Sequence, residues 1–324
     1  MLPSHLPTTQ SSADQEHRTA NDVAILLCTF NGAPYLHQQL DSFDCQTHSS
    51  WNLHISDDNS TDGTQEILER HALEQHRDYK LYAGPCKGFA ANFMSLIKNT
   101  AISANFYSYA DQDDIWEPKK LERALEILKQ TPRDVPALYF SRTAYIDSTG
   151  ELYGFSMKFD KAPCFKNALV QSIGGGNTMV FNHAARNLLI ENSDLSSSIS
   201  HDWWTYLVVA AAGGSIFYDP EPLVRYRQHG KNAAGQNITL LARLNRVRQL
   251  FNGRYKQWNS QHIAALRAME TQVTTENRQT LEAFSQARSG HFIARIYWLH
   301  RSKVFRQPYW NQWGLYVAAL FKKL

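Results

Sequence analysis

Three polar clusters, each placed directly after a strand-like apolar run, constrain this chain more than any other feature. Ligands of open α/β sheets bind in the crevice outside the carboxyl ends of the strands, so this order brings several carboxylate groups to one crevice. An acidic crevice at strand ends indicates a phosphate-bearing substrate bridged by a metal ion. The apolar runs cover residues 23–29, 53–56 and 106–110, and the polar clusters that follow them begin at Thr29, Asp57 and Asp111.

Strand-like and helix-like runs alternate between residues 22 and 147, which is typical of βαβ units in a parallel sheet. We predict a nucleotide-binding half there and an acceptor-binding half over residues 148–237, joined to the same sheet in one α/β domain. Helices are expected at 34–45, 64–75, 89–101, 183–191 and 202–212 and in a stretch begun by Pro118, and further strands at 80–83, 137–146, 179–181 and 215–218.

The two ends of the chain differ from this middle part. Residues 1–21 lack the basic start and apolar run of a signal peptide, and we expect a disordered leader. The net charge of +3 over 324 residues hides an asymmetry, because residues 1–239 carry 19 Lys and Arg against 27 Asp and Glu, whereas residues 240–324 carry 14 against 3. A basic end of this kind predicts an anionic partner.

Residues 238–324 are predicted to form a helical, basic and aromatic C-terminal region. Apolar residues recur at helical spacing from Leu240 to Leu250, and aromatic residues alternate with Lys and Arg from residue 291 onward. This mixture is typical of a segment that lies on a membrane surface, which we favour over helical packing or an oligomer contact. A nucleic-acid partner is the least favoured and is not predicted.

The lengths of the apolar stretches and the spacing of the cysteines predict where the protein is located in the cell. No stretch reaches the roughly 18–20 apolar residues that span a bilayer. The four cysteines, Cys28, Cys45, Cys86 and Cys164, have no metal-ligand or redox spacing and are interpreted as reduced thiols. We therefore expect a cytoplasmic protein, peripheral on the inner face of the cell membrane.

The first two clusters have the residue types that recognise a nucleoside. Thr29, Asn31 and Gly32 follow the first strand, where backbone amides at a helix start can meet a base or phosphate, although a plain strand-to-helix turn has the same pattern. Asp57 and Asp58 end the second strand, and ionised carboxylates accept hydrogen bonds from a ring imide or a ribose. The residues after Asp58 are interpreted as turn and cap.

The third cluster, Asp111 to Asp114, emerges from a buried strand and is the most specific of the three. Clustered hard oxygen ligands suit Mg²⁺ or Mn²⁺ bound to substrate phosphates. We predict Asp113 as a metal ligand and Asp111 as a second ligand or a ribose contact. Asp114 is expected to stabilise the helix that begins near Pro118.

Two later segments complete the predicted site. Asp202 opens a helix and is followed by two Trp residues, so it is a candidate general base partly desolvated by the indoles, or simply an N-cap. The basic loop at residues 225–232 offers His229 for a metal or phosphate and cations for a diphosphate.

Six motifs occur along residues 22–235 in the order C-T-F-N-G, D-D-N-S-T-D-G-T, A-D-Q-D-D-I-W, G-G-G-N-T, H-D-W-W and Y-R-Q-H-G-K-N. In this combination the chain resembles family 2 glycosyltransferases and, within them, the bacterial rhamnosyltransferase-like branch. The resemblance implies a GT-A fold and an inverting transfer from a nucleotide sugar, and it does not cover the C-terminal region. One departure is Gln112 between two aspartates.

The resemblance also implies roles for single residues. Thr29, Asn31 and Asp58 would contact the nucleoside, with Asp57 beside it and Asp111 assisting; Asp113 would hold Mg²⁺ or Mn²⁺ on the diphosphate, and Asp202 would be the catalytic base. His229 would lie near the metal, Lys231 near the phosphates, and Gly175 and Gly176 near the donor sugar or acceptor.

The sequence therefore predicts an inverting, metal-dependent hexosyltransferase. The favoured donor is dTDP-L-rhamnose and the next a UDP-hexose, and the acceptor is a hydroxyl of a growing bacterial surface polysaccharide or lipid-linked glycan, such as O-antigen. The alternative is a catalytically silent nucleotide-sugar-binding scaffold, against which the joint presence of Asp58, Asp113 and Asp202 argues. A nicotinamide-dependent oxidoreductase is disfavoured, because the first strand-to-helix turn lacks the G-x-G-x-x-G pattern.

Overall fold

The apolar runs that precede the polar clusters form parallel strands of one sheet. A computed structural model describes residues 22–196, 200–229 and 254–324. Strand β1 (Val23–Thr29) pairs in parallel with β2 (Trp51–Asp57) and β4 (Phe106–Asp111), and β2 pairs in parallel with β3 (Lys80–Ala83). All seven residues of β1 are buried, as expected for a central strand covered on both faces.

The remaining strands extend this sheet to nine, in the order β3-β2-β1-β4-β8-β6-β9-β5 with β7 paired to β6. Strand β8 is antiparallel to both β4 and β6, so it joins the parallel set β1–β4 to the parallel pair of β6 and β9. These later strands are β5 (Ile115–Trp116), β6 (Ala137–Ile146), β7 (Leu152–Phe155), β8 (Val180–Asn182) and β9 (Ser215–Arg227).

Helices cover both faces of the sheet and bury two apolar clusters. The cluster on one face includes Leu36, Phe43 and Leu121, and the cluster on the other includes Phe93 and Trp204. The helices of the first face are α1 (Ala33–Asp44), α2 (Thr64–Glu74) and α4 (Lys120–Leu128), and those of the second are α3 (Phe89–Lys98), α5 (Phe165–Ala168), α6 (His183–Glu191) and α7 (His201–Ala211).

The C-terminal region packs on the second face instead of forming a separate core. Leu266, Phe284, Leu299 and Ala319 belong to the same buried cluster as the side chains of α3 and α7. The side chain of Asn277 donates to the carbonyl oxygens of Ala210 and Ala211 at the end of α7. The helices of this region are α8 (Arg254–Ala268), α9 (Thr275–Ser289), α10 (Phe292–Ser302) and α11 (Tyr309–Leu320).

The helical prediction for the C-terminal region is thus confirmed over residues 254–324. The leader predicted at 1–21, the boundary at 237/238 and the leucine-rich stretch from Leu240 lie outside the described residues. Among the described helices, none has the length and apolar content to cross a membrane.

Several predicted bounds differ from the observed ones, among them the start of α4 and the end of β9, and β5, β7 and α5 were not predicted. Helix α4 begins at Lys120, because the backbone N–H of Glu117 still donates to Leu223 in the strand ladder and the helix starts only after this turn. Strand β9 continues to Arg227, far beyond residue 218, because it pairs with β6 along its whole length. Strand β6 has its predicted bounds and pairs with β7, β8 and β9.

Candidate functional site

Strand register brings the predicted clusters to one edge of the sheet. Thr29 lies opposite Asp57, and Cys28 lies opposite Asp111, so β1, β2 and β4 end together. Burial raises the pKa of the Cys28 thiol well above its ordinary value, and the carboxylates of Asp111 and Asp58 raise it further. These carboxylates therefore share the crevice predicted from the sequence.

Asp57 is the centre of a hydrogen-bond cluster that builds the loop after β2. Its carboxylate accepts from Thr29 Oγ1 at 2.7 Å, from Ser60 N and Oγ at 2.8 and 2.5 Å, and from Gln65 Nε2 at 2.9 Å. Burial acts to raise the pKa of Asp57, but the hydrogen bonds from Ser60, Thr29 and Gln65 outweigh it and hold the pKa below its ordinary value. Asp57 and Thr29 thus shape the loop, and a nucleoside contact by either remains a prediction.

Asp58 presents a less occupied carboxylate to the crevice. Its Oδ1 accepts from the backbone N–H of Cys86 at 3.0 Å, and Oδ2 has no hydrogen-bond partner within the described residues. Gly84 lets the chain pass close to Asp58, since a Cβ at that position would lie 2.2 Å from Asp58 Oδ1. Asp58 is therefore free to accept from a ligand on one side.

Asn31 joins the first loop to the second. It adopts a left-handed conformation with φ of 50°, its Oδ1 accepts from Thr61 N at 2.9 Å, and its own N–H donates to Ser60 Oγ at 2.9 Å. These bonds fit the turn that the sequence allowed, and the predicted nucleoside contact of Asn31 is additional to them.

Gln112 bonds the acidic loop, residues 111–114, to the loop after β1. Its Oε1 accepts from Phe30 N at 2.8 Å and its Nε2 donates to Phe30 O at 3.0 Å. The Phe30 ring, 58% exposed, is left at the crevice. Gln112 thus links the two loops through both groups of its amide, which accounts for an amide side chain between two aspartates.

Asp114 is fully buried and bonds the acidic loop to two other segments of the chain. Its Oδ2 accepts from Asn177 Nδ2 at 2.6 Å and its Oδ1 from Arg227 N at 3.1 Å. Burial, with the Asp113 and Asp111 carboxylates adding to it, raises the pKa of Asp114 well above its ordinary value. The helix-stabilising role expected for Asp114 is wrong, because its carboxylate bonds to β9 and to the G-G-G-N-T motif.

The two arginines of the basic loop bond within the chain, in contrast to the phosphate-binding role expected for them. Arg227, 1% exposed, donates from Nε to the Asp113 carbonyl at 3.0 Å and from Nη1 to the carbonyls of Asp147 and Ser148 at 3.2 and 3.3 Å. Arg225 pairs with Glu117 at 2.6 Å. Arg227 therefore fixes the acidic loop backbone.

Asp113 and His229, both predicted as metal-binding, meet in the structure. His229 Nε2 lies 2.7 Å from Asp113 Oδ2, and the imidazole stacks on Tyr35 with ring centroids 5.0 Å apart. Over residues 22–196, 200–229 and 254–324, no group of three or more His, Cys, Asp or Glu side chains is arranged as a metal site. A Mg²⁺ ion held by one or two carboxylates plus substrate phosphates needs no such group.

The pKa of Asp111 reflects the charged groups that surround it in the crevice. Burial raises its pKa to about 7, with the carboxylates of Asp113 and Asp202 adding to the shift and Lys120 opposing it. Residues from β4, the acidic loop and α7 are therefore near one another. Their combined negative charge fits a divalent cation, which would relieve the repulsion.

Asp202 lies in the first turn of α7 and is partly exposed. Its Oδ1 accepts from Trp203 N at 2.7 Å, and Oδ2 has no partner among the residues described. Trp204 is part of the core, while Trp203 donates to Ala168 O at 2.7 Å and packs against His262. The desolvation of Asp202 by two indoles therefore stays a prediction.

His201 and the glycine motif pack against each other beside Asp202. The His201 ring stacks on Phe93 at 4.0 Å, and a Cβ on Gly176 would lie 2.3 Å from His201 Nε2. Gly176 thus admits the imidazole, and Gly175 is exposed. Lys231, predicted near the phosphates, lies outside the described residues, and the ligand contacts predicted for both glycines remain predictions.

Sequence reasoning missed several residues that shape this site. Lys120 is fully buried beneath the acidic loop, with Nζ 2.8 Å from Ser108 Oγ and 3.2 Å from the centroid of a Trp116 ring. Burial lowers its pKa well below the ordinary value, although Asp114 and Asp111 oppose this. The P-K-K-L sequence gives only a helix start, so no local signal marks Lys120, Tyr35 or Gly84.

Similarity to known proteins covers most of the chain. A dTDP-rhamnosyl transferase, RfbG, of Shigella flexneri is 28% identical over 245 residues, which are 71% of this chain and 81% of that protein. A putative teichuronic acid biosynthesis glycosyltransferase, TuaG, of Bacillus subtilis is 29% identical over 111 residues, 33% of this chain and 42% of that protein.

Solved structures share the fold at low sequence identity. Residues 1–349 of S. aureus TarS match with a TM-score of 0.53 and 13% identity, covering 93% of this chain and 80% of that one. The mannosyltransferase PcManGT from Pyrobaculum calidifontis, solved with GDP-Man and Mn²⁺, matches with a TM-score of 0.51 and 16% identity, covering 93% and 85%. Both are GT-A glycosyltransferases.

The family model that matches this sequence spans β1 to β8 with the loops and acidic cluster between them, and it ends before α7 and β9. It is that of glycosyl transferase family 2, and it matches residues 24–186. With this match over half of its length, the chain belongs to glycosyl transferase family 2, has the GT-A fold, and is similar to a dTDP-rhamnosyl transferase.

Proposed function

We propose that this protein is an inverting, metal-dependent hexosyltransferase that moves a sugar from a nucleotide donor to a hydroxyl group of a bacterial surface glycan. The observation that carries the proposal is that the carboxylates at the ends of β2 and β4 meet at one edge of the sheet, where Asp113 lies 2.7 Å from His229. Asp202 of α7 is near enough to raise the pKa of Asp111. This reaction requires one carboxylate that holds the phosphate-bound cation and another that accepts a proton, and the two need to share one crevice.

The nucleoside would bind over the ends of β1 and β2. Asp58 would accept from the base imide through Oδ2, while Thr29 and Asn31 contact the nucleoside next to Asp57. The exposed Phe30 ring is suited to stack on the base. Asp111 would contact the ribose or assist at the diphosphate.

Asp113 and His229 would hold the cation, Mg²⁺ or Mn²⁺. When bound, the cation would neutralise charge on the leaving nucleoside diphosphate. Asp113 is suited to this because Arg227 fixes its backbone carbonyl while the carboxylate points to His229. Lys231 and the backbone at Gly175 and Gly176 would contact the diphosphate or the sugar.

Asp202 would act as the catalytic base. Its Oδ2 would take the proton from the acceptor hydroxyl as that oxygen attacks the anomeric carbon on the face opposite the leaving diphosphate. The C–O bond to the diphosphate breaks as the new glycosidic bond forms, so the anomeric configuration inverts and no covalent sugar–enzyme intermediate forms.

The favoured donor is dTDP-L-rhamnose, with a UDP-hexose second. Similarity to the Shigella flexneri dTDP-rhamnosyl transferase over 81% of that protein supports the first choice. The acceptor would be a growing surface polysaccharide, such as O-antigen, or a lipid-linked glycan.

A lipid-linked acceptor requires the enzyme to work at the inner face of the cell membrane, and α11 supports this location. One side of α11 packs into the core through Leu315 and Ala319, yet the other side exposes Trp310, Trp313 and Val317 at helical spacing. A helix with apolar residues on two sides is expected to have a second apolar neighbour. Lys303 at the end of α10 and Lys322 just after α11 are both exposed, and basic side chains suit an anionic membrane surface.

The proposal is tested by calorimetric titration of dTDP, UDP and GDP with and without Mn²⁺. Asp58→Ala should weaken binding of the preferred nucleotide in both conditions, whereas Asp113→Ala should remove the gain that Mn²⁺ gives. Asp78→Ala, in an exposed carboxylate away from the crevice, is the matched control. Absence of nucleotide binding under every condition would refute the proposed transferase, and nucleotide binding without any transfer would favour the scaffold alternative.

Transfer itself is tested with Asp202→Asn, which keeps the shape of the side chain. The variant should bind nucleotide as the original chain does and lose transfer by about 10²-fold or more. An NMR assignment of the product anomer tests inversion. Transfer at the original rate in Asp202→Asn would refute the base assignment.

A further inference from the structure

A second cavity, of about 320 Å³, lies in the C-terminal region between α10, α11 and the segment at Lys161. Four basic side chains and several aromatic rings line it, and no carboxylate occurs among its described lining residues. The basic side chains are Lys161, His300, Lys303 and Arg306.

Local structure explains only part of this charge. Cations are favoured at a helix C-terminus, and His300 and Lys303 lie at the end of α10. Lys161 comes from a segment remote in sequence, and its Nζ lies 4.9 Å from the centroid of the Phe305 ring. Neither Lys161 nor Lys303 forms an ion pair with any described residue. The cavity therefore brings four basic side chains together without a carboxylate among its described lining residues, and the nearby Glu276, whose pKa Lys303 helps to lower, is not part of the lining.

The cavity is connected to the acceptor side of the proposed site by direct hydrogen bonds. Phe305, in its wall, donates through its backbone N–H to Lys166 O at 3.3 Å and accepts through its carbonyl from Asn167 Nδ2 at 3.0 Å. The same short helix, α5, accepts at Ala168 O from the indole of Trp203, the neighbour of Asp202. A ligand in the cavity is thus held by the elements that also position the proposed base.

The cavity also borders the exposed aromatic side of α11. Tyr309 lines the cavity and is 70% exposed, and the next residue, Trp310, is 74% exposed. An anionic group in the cavity can therefore be followed by an apolar chain along Tyr309 and Trp310. The geometry fits a molecule with a charged head and an apolar tail.

We propose that this cavity binds the phosphate or diphosphate group of a lipid-linked acceptor. Several cationic donors around one cavity suit phosphate oxygens, and the aromatic wall suits the adjoining lipid chain. The proposal rests on the proposed glycosyl transfer to such an acceptor. Free phosphate and the headgroups of bilayer phospholipids have the same anionic chemistry, so the experiment separates these sources.

The experiment measures binding of farnesyl diphosphate to the full chain by calorimetry. The charge-reversal variant Lys161→Glu/Lys303→Glu should bind it at least about tenfold more weakly, and farnesol should not bind. Lys129→Glu, at an exposed position after α4, is the matched control and should bind as the original chain does. Binding should persist in Asp113→Ala, since the cavity is separate from the proposed nucleotide site.

Four results would overturn the proposal. They are unchanged affinity in the double variant, an equal loss in Lys129→Glu, loss of binding in Asp113→Ala, and inorganic diphosphate or phosphatidylglycerol vesicles binding as tightly as farnesyl diphosphate through the same lysines. Nucleotide binding, measured on the same samples, reports folding of the double variant. It also separates the two proposals, because a chain that binds farnesyl diphosphate but no nucleotide would contradict only the proposed transfer.

Discussion

Replacing Gly84 by Ala tests whether Asp58 has to sit where the structure has it. A Cβ at position 84 would lie 2.2 Å from Asp58 Oδ1, 2.9 Å from Asn92 Oδ1 and 2.9 Å from the carbonyl oxygen of Asp57. Real Cβ contacts are almost never shorter than 3.0 Å, so the Asp58 carboxylate has to move by about 0.8 Å. Neither of the other two neighbours can make room easily, because one is backbone and Asn92 is buried.

The displacement has two measurable consequences. Overpacking of this kind costs about 1–3 kcal/mol of folding free energy. The shifted carboxylate also loses its bond from Cys86 N and its alignment with a nucleoside, and a hydrogen bond to a charged group is worth about 1.5–3 kcal/mol. We therefore expect nucleotide affinity to fall about 10- to 100-fold, measured by calorimetry alongside urea unfolding.

Gly314→Ala is the matched control, because a Cβ there meets no atom within 4 Å. Position 314 lies inside α11, where Ala is favoured over Gly by roughly 1 kcal/mol, so the control should be neutral or stabilising and bind nucleotide normally. Nucleotide affinity within twofold of the original in Gly84→Ala would refute the assignment of Asp58 to the nucleoside. An unchanged free energy of unfolding would refute the packing argument.

Three further substitutions test the frame around the site and the C-terminal core. Asp57→Asn should lower the free energy of unfolding by about 1–3 kcal/mol near neutral pH. The folded-state pKa of Asp57 is lowered, so this difference between the two chains should shrink as the pH falls through that pKa. Urea unfolding near neutral pH and at a pH below that pKa measures the change. Arg227→Lys should cost about 1–3 kcal/mol in the same assay, since a single ammonium cannot replace the forked donors to Asp147 and Ser148. Burial lowers the pKa of His262 from 6.5 to about 3, so the original chain should lose about 2 kcal/mol between about pH 7 and pH 5 that His262→Leu does not lose.

The sheet and the position of the crevice were predictable because both depend on local sequence. Apolar runs that are buried on two faces have no polar alternation, and β1 was predicted with its observed bounds. The carboxyl ends of parallel strands meet at one edge, so the proximity of Asp58 to Asp111 followed from strand order alone. Asp113 and His229 were expected to lie near each other only because both were predicted to lie at the metal ion.

Other features depend on contacts between distant segments and have no local signal. Strand β8 is three residues long and inserts between β4 and β6, which reorders the second half of the sheet. The sequence distinguishes Asp114 from Asp113 but predicts the wrong role for it, because its partners Asn177 and Arg227 come from distant segments. No local pattern predicts a role for Lys120, which is fully buried and contacts Trp116 and Ser108.

The acidic loop divides its residues between building the loop and facing the crevice. Gln112 has one donor and one acceptor group for Phe30, and an aspartate or glutamate there would accept only, lose the bond to Phe30 O, and add charge next to Asp111. Both carboxylate oxygens of Asp114 accept hydrogen bonds, one from Asn177 and one from Arg227. The loop is therefore held through amides, a buried carboxyl group and backbone carbonyls, which leaves the carboxylate of Asp113 as the member placed against His229. Such a preorganised loop requires little rearrangement when a charged substrate enters, which is the condition under which fixed charges contribute most to catalysis.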